Sequence, residues 1–425
     1  MGRCLKIAAL VAGGIVFALL VASGVFFATL SLWGDGPRAE QALLKGNYVA
    51  AFDGYDRALA SRLLPRNSRV QFLVGRGTAQ LGLNHPDQAL ADYNAALALD
   101  PTARRALHMR GIVLMKQQNC AKAISDFSAI LERAPNDYWA LLRRAQCRES
   151  ILDVDGAIAD FGALTRLMPN MDVAYLRVAY NYARKHDDAK AIAALDGWPM
   201  TQAYDAEAYV NRGSGYDTVG AYAKAIAEYD NALRIQPGDA SAYRERGMAW
   251  ITAGNYPSAI ADLDKSAALD SSDASAYYNR GFAKILAGRY REAISDFTHT
   301  LELNPTDAYA VIWLHLAQRH TGNDDSADLA RYSDRLDRGE WPMPVVEYFR
   351  SKIDAATLRT AAEQEKVPSR RQEKSCEAEY YISALDVAEG KTATALPLIH
   401  RAADMCPPGF VELIAARADL KRLGE

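Results

Sequence analysis

The fold is decided by Ala274–Asp307, ASAYYNRGFAKILAGRYREAISDFTHTLELNPTD. Its segment Tyr277-Tyr278-Asn279-Arg280-Gly281 recurs 34 residues upstream as Tyr243-Arg244-Glu245-Arg246-Gly247, and 34 further as Tyr209-Val210-Asn211-Arg212-Gly213. Seven residues after its glycine, each copy has a second glycine: Gly220, Gly254 and Gly288. A tyrosine follows two residues later (Tyr222, Tyr256, Tyr290), then an alanine (Ala225, Ala259, Ala293) and a large apolar residue (Tyr229, Leu263, Phe297). The phase extends backwards without a gap, giving tiles at 70–103, 104–137, 138–171, 172–205, 206–239, 240–273 and 274–307. Prolines close five of them, at Pro101, Pro135, Pro169, Pro237 and Pro305. The spacing of Ala89, Leu90, Tyr93 and Ala96 is that of a helix buried along one side. Strand alternation is not evident anywhere in the chain.

Each feature has a physical reason. The second glycine allows a tight turn between two helices, and the small alanines let those helices approach. The proline stops the second helix. One copy cannot bury its apolar side alone, so the copies must stack around a continuous core. The pattern and its 34-residue period resemble the tetratricopeptide repeat. That resemblance implies an all-α, right-handed superhelix of helical hairpins that binds other proteins. An irregular first copy covers 34–69, the seven tiles cover 70–307, a degenerate copy and helical insert cover 308–375, and a last copy with a capping helix covers 376–425.

Position 7 of the tiles reads Arg76, Arg110, Arg144, Val178, Arg212, Arg246 and Arg280. Position 23 reads Asp92, Asp126, Asp160, Ala194, Glu228, Asp262 and Asp296. Both charges are lost together in the tile 172–205, which predicts ion pairs within each hairpin: Arg76–Asp92, Arg110–Asp126, Arg144–Asp160, Arg212–Glu228, Arg246–Asp262 and Arg280–Asp296. The joint loss also marks 172–205 as the irregular tile.

Ahead of the repeats, Ile7–Trp33 is a run of 27 residues without charge. As a helix it would reach about 40 Å, enough to span a bilayer with some tilt. Arg3 and Lys6 precede it, which favours a cytoplasmic N-terminus and an exported body. The segment 1–33 reads as a membrane anchor, with a cleaved signal peptide as the alternative; both export the repeats. Cys4 precedes the apolar run and is not placed as a lipoprotein cysteine.

An exported body permits disulfides. Cys376 and Cys406 fall at adjoining ends of the last hairpin, and Cys120 and Cys147 at one edge of the array. Cys376–Cys406 and Cys120–Cys147 are therefore the expected pairs, with buried free thiols as the alternative for each.

The chain has five cysteines and seven histidines, without a paired-cysteine motif or a histidine spacing suited to metal. No nucleophile elbow or phosphate loop is present, and carboxylate pairs such as Asp324-Asp325 fall in turns. These features point to neither an enzyme nor a cofactor. A net charge of −3 gives no reason to propose a nucleic-acid partner.

First-helix positions 5 and 9 usually face the inner groove of such an array, the default place for binding. There the candidates are Tyr180, Arg244, Met248, Tyr278 and Phe282; the alternative for these positions is contact with neighbouring helices.

After the regular tiles come Ala308-Tyr309-Ala310-Val311-Ile312-Trp313-Leu314, Glu340-Trp341-Pro342, Val345-Val346-Glu347-Tyr348-Phe349, Cys376-Glu377-Ala378-Glu379-Tyr380-Tyr381 and Phe410-Val411-Glu412. This order resembles the C-terminal half of NlpI-type repeat lipoproteins of the Gram-negative envelope. The resemblance implies an envelope adaptor that brings a tail-specific periplasmic protease to peptidoglycan hydrolases. Without a lipoprotein cysteine, its place would be the inner membrane, with the repeats in the periplasm. The alternatives are a periplasmic scaffold for secretion or outer-membrane assembly and, more distantly, an enzyme.

Overall fold

The computed structural model describes residues 34–199, 206–323, 326–407 and 409–425. The apolar run 7–33, Cys4 and the Asp324-Asp325 pair lie outside the described residues. Among the described residues there are 23 α-helices, no strands, and no helix long and apolar enough to cross a membrane. The chain is an all-α helical-repeat solenoid, and it divides into two compact units, residues 1–199 and 200–425.

The first unit contains α1 (Gly36–Leu44), α2 (Tyr48–Leu59), α3 (Arg66–Gly82), α4 (Pro86–Leu99), α5 (Arg104–Lys116), α6 (Cys120–Leu131), α7 (Tyr138–Ser150), α8 (Val154–Leu167), α9 (Asp172–Arg184) and α10 (Asp188–Asp196). Each first helix lies against its own second helix, and each second helix against the next first helix. Its core joins Ala89, Tyr93, Ala123, Phe127, Ala157 and Phe161, all at most 1 % exposed. In the irregular tile, α10 has 9 residues where α4 and α8 have 14. Trp198 follows it and stacks on Tyr175, with ring centres 5.8 Å apart.

The second unit continues the pattern with α11 (Ala206–Thr218), α12 (Tyr222–Ile235), α13 (Ala240–Thr252), α14 (Tyr256–Leu269), α15 (Ala274–Leu286) and α16 (Tyr290–Leu303). It then departs from that pattern. α17 (Ala308–His320) is followed by the short α18 (Ser326–Ser333), α19 (Met343–Phe349) and α20 (Ala355–Glu363). The long α21 (Pro368–Ala388), α22 (Thr392–Met405) and α23 (Val411–Leu423) complete the chain. α17 is buried from Ala310 to Gln318, because the later helices enclose a segment that regular repeats would leave half open.

Two recurring positions set the hairpin geometry. At position 8, Gly77, Gly111, Gly213 and Gly281 sit so close to the second helix that an added Cβ would meet the ring of Tyr93, Phe127, Tyr229 or Phe297 at 2.7–3.0 Å. At position 15 the backbone enters the left-handed region in every tile. Gly220, Gly254 and Gly288 do so at φ 72–78°, as does Gly322 in the degenerate copy, whereas Asn84, Gln118, Leu152 and His186 are held there at 57–64°. Aspartates at the tile boundary cap the next helix: Asp137, Asp239 and Asp307 accept from the backbone N–H of Ala140, Ala242 and Ala310.

Candidate protein-binding face

The arginine–acid pairs build the frame of this face. Arg110 donates from Nε and Nη2 to the two oxygens of Asp126, at 2.9 and 2.6 Å. The same fork joins Arg76 to Asp92 (2.9 and 2.6 Å), Arg144 to Asp160 (2.9 and 2.7 Å) and Arg246 to Asp262 (2.7 and 2.6 Å). Arg280 holds Asp296 at 2.6–3.1 Å, and Lys284 joins it at 2.7 Å. Glu228 reaches one methylene further, so a single Arg212 nitrogen meets both its oxygens at 2.8 Å. The carboxylate hydrogen bonds raise the arginine pKa at Arg76, Arg110 and Arg246.

The arginines do a second thing that sequence reasoning missed. Nη1 of Arg110 donates to Asn94, of Arg144 to Ser128 and of Arg280 to Asp264, at 2.8–2.9 Å. Arg76 and Arg246 reach Asp56 and Asp230 in the same way. Four of these acceptors stand at position 25 of the preceding tile and Asp56 at the corresponding place in the first copy, so each of these five guanidiniums clips its own hairpin and stitches it to the one before. The signal was visible at position 25, which is polar in every tile but 138–171, where Gly162 precedes the one tile that lacks the arginine.

In the first unit, positions 2, 5 and 9 of α5, α7 and α9 form a face that includes Trp139, Leu142, Val173 and Tyr180. Trp139 and Tyr180 are each 43 % exposed, unusual for such large rings. The guanidinium of Arg143 lies 5.9 Å from the centre of Trp139, and that of Arg184 lies 5.8 Å from Tyr180. Further along, Arg105, His108 and Met109 border a 380 Å³ cavity. Burial lowers the His108 pKa.

In the second unit the expected groove is filled. Phe282 is 1 % exposed and lies 5.1 Å from Trp313 of α17, ring centre to centre. Tyr278 is half-buried against the same core, and burial followed by the nearby Glu412 pushes its hydroxyl pKa well up. Arg244 is engaged by Asp273 and Glu245, and Met248 is half-buried against the core. The expectation that Tyr278 and Phe282 line an open groove is therefore corrected: the C-terminal helices fold back over α15. Arg422 of α23 donates to the Tyr290 hydroxyl and, at 3.3 Å, to the Ile285 carbonyl oxygen. Tyr180 belongs to the first unit, where it is exposed.

The fold-back buries acids that the sequence did not single out. Glu377 accepts from the Tyr309 hydroxyl at 3.0 Å and the Trp341 indole N–H at 2.9 Å. Glu412 accepts from the Tyr381 hydroxyl at 2.7 Å. Burial, then repulsion from Glu412, pushes Glu377 up to about 7. Burial likewise raises Glu412 and Asp419.

Cys376 and Cys406 form a disulfide, with Cα atoms 5.0 Å apart. Cys376 lies inside α21, which begins at Pro368. The expected Cys120–Cys147 bridge is absent, and both are buried free cysteines. Both lie in an apolar core, where burial pushes the Cys147 thiol up to about 12. Among the described residues no group of His, Cys, Asp and Glu could hold a metal ion.

Tetratricopeptide-repeat family profiles match residues 74–138, 108–172, 210–281 and 274–307. The chain is a tetratricopeptide repeat protein. Among solved structures it is similar to a tetratricopeptide repeat protein from Parabacteroides merdae, at 17 % identity over 59 % of this chain and 99 % of that one, TM-score 0.41. It is also similar to the second TPR domain of human RPAP3 in complex with an HSP70 peptide, at 30 % identity over 27 % and 94 %, TM-score 0.26. The first TPR of Spaghetti (RPAP3), bound to an HSP90 peptide, is 25 % identical over 28 % and 94 %, TM-score 0.28. Comparison with curated proteins gives no match.

Proposed function

We propose that this chain is a protein-binding scaffold whose working surface is the first-helix face of α5, α7 and α9. The observation that carries this reading is the contrast between the two units. Trp139 and Tyr180 stand exposed beside arginines in the first, while the corresponding face of α15 is covered by the chain's own helices. Aromatic and arginine side chains are the usual anchors of protein interfaces.

In this proposal the segment 7–33 holds the chain in a bacterial inner membrane with the repeats in the periplasm. The scaffold brings a tail-specific protease to peptidoglycan hydrolases. The Cys376–Cys406 disulfide supports an oxidising compartment. The test is in-cell crosslinking from a photoreactive residue at position 139 or 180 of the full chain, followed by mass spectrometry. Recovery of a protease with a wall hydrolase is the expected result. Secretion or assembly components instead would remove the adaptor role and leave a scaffold of another pathway. An absence of crosslinks from both positions would refute the face itself.

A further inference from the structure

The repeat pattern breaks after α17, and at that break the chain encloses a cavity of about 430 Å³. It is bordered by α17, α18 and the C-terminal ends of α19 and α21. Arg319, Arg350, Lys352 and Glu389 supply charge to its wall, and Phe349 and Leu385 supply apolar surface. We propose that this cavity binds a small molecule through an oxyanion headgroup, a phosphate or a carboxylate.

The first argument is an incomplete set of hydrogen bonds. The Arg350 side chain is only 18 % exposed. Its Nη1 donates to the Ser333 hydroxyl at 2.7 Å and lies 3.5 Å from Asp334. Among the described residues, Nε and Nη2 have no acceptor. These two nitrogens open to solvent beside the cavity, where the oxygens of a ligand can take the place of water.

The second argument is charge. Arg319 gives one nitrogen to Glu389 at 2.7 Å, but Glu389 is already held by Lys391 at 2.6 Å. Asp334, the carboxylate near Arg350, is 60 % exposed and its charge is well hydrated. Lys352 makes no ion pair among the described residues. The wall therefore carries more positive charge than its own acids neutralise, and water in the cavity does not alter that balance. The planar donor fork of a guanidinium matches the oxygens of a carboxylate or phosphate.

The third argument is how the cations are presented. α19 ends with Ser351 in the left-handed region, φ 55°. The backbone N–H groups of Ser351 and Lys352 turn back to the carbonyls of Tyr348 and Glu347. This closed turn fixes Arg350 and Lys352 at the cavity. The volume corresponds to about a dozen waters, more than one headgroup needs. The ligand therefore carries a body that rests on Phe349 and Leu385, as small-molecule sites combine a few polar anchors with an apolar wall.

The experiment is calorimetric titration of the full chain with inorganic phosphate and, separately, with succinate, both at ionic strength matched with sodium chloride. Saturable binding of either anion at one equivalent is expected, and the tighter of the two names the headgroup. Lys352→Gln, at an exposed position, should keep the helical circular dichroism and weaken binding about tenfold. Arg350→Gln should abolish it. Heats no larger than those of the chloride control would overturn the proposal. So would an affinity unchanged in Lys352→Gln and Arg350→Gln alike.

Discussion

Removing one or both members of the Arg110–Asp126 pair tests the frame of the array. Asp126 is 3 % exposed and receives both prongs of the guanidinium. Arg110→Val leaves that carboxylate buried with no cation, at a cost of about 3–4 kcal/mol. Asp126→Ala leaves a guanidinium that is partly exposed and still bonded to Asn94, so the cost is lower, about 2–3 kcal/mol. The double variant recreates the Val178 and Ala194 combination of the tile 172–205 and removes both charges at once. Its cost should be about 2 kcal/mol, less than the sum of the singles by about 3–5 kcal/mol. Urea unfolding of the full chain measures the totals, and hydrogen exchange of α5 and α6 assigns the loss to this hairpin. Additive costs would refute the reasoning: the pair would then be two independent surface charges, and their joint absence from 172–205 would mean nothing.

Glu377→Gln should leave stability unchanged below pH 4.5, where the carboxyl is protonated in both the folded and unfolded chain. Between pH 4.5 and about 7 the native chain should fall progressively behind the variant, and above pH 7 the gap should level at about 3 kcal/mol, read as a pH series of melting curves. A gap that closes as pH rises would reverse the assigned cause. Leu152→Gly should stabilise the first unit by about 1 kcal/mol, because glycine removes the penalty of a bulky residue at φ 64°. Gly111→Ala should cost about 1–3 kcal/mol, since its Cβ would meet the Phe127 ring at 2.7 Å; calorimetric melting checks both. Cys376→Ser with Cys406→Ser should cost about 3 kcal/mol in denaturant unfolding, the value for a closed loop of about 30 residues.

The repeats were legible because their determinants are local and periodic. Arg110 and Asp126 are 16 residues apart, and the same separation recurs in each charged tile, so one hairpin explains the others. The fold-back of α21 to α23 has no such period. Arg422 meets Tyr290 across 132 residues, and no pattern in either segment announces the other. For that reason Tyr278 and Phe282, placed at groove positions by their phase, were read as open. Cys120 and Cys147 are neighbours as expected, yet both are buried free cysteines. The cavity beside Arg350 lies at the break in the period, where alignment of copies carries no information.

The arginine stitch also bears on how such a chain can change length. Arg110, Arg144, Arg246 and Arg280 are each shared between their own hairpin and position 25 of the hairpin before it, where Asn94, Ser128, Asp230 or Asp264 serves as the acceptor. Excising 104–137 in phase would hand Arg144 from Ser128 to Asn94, with the same donor atom and an equivalent acceptor. The junction thus behaves as a standard coupling wherever position 25 carries a side-chain acceptor. Loss of 104–137 or of 240–273 preserves the stitch, whereas loss of 172–205 would set Arg212 against Gly162, and a cut out of phase strands an arginine at the seam.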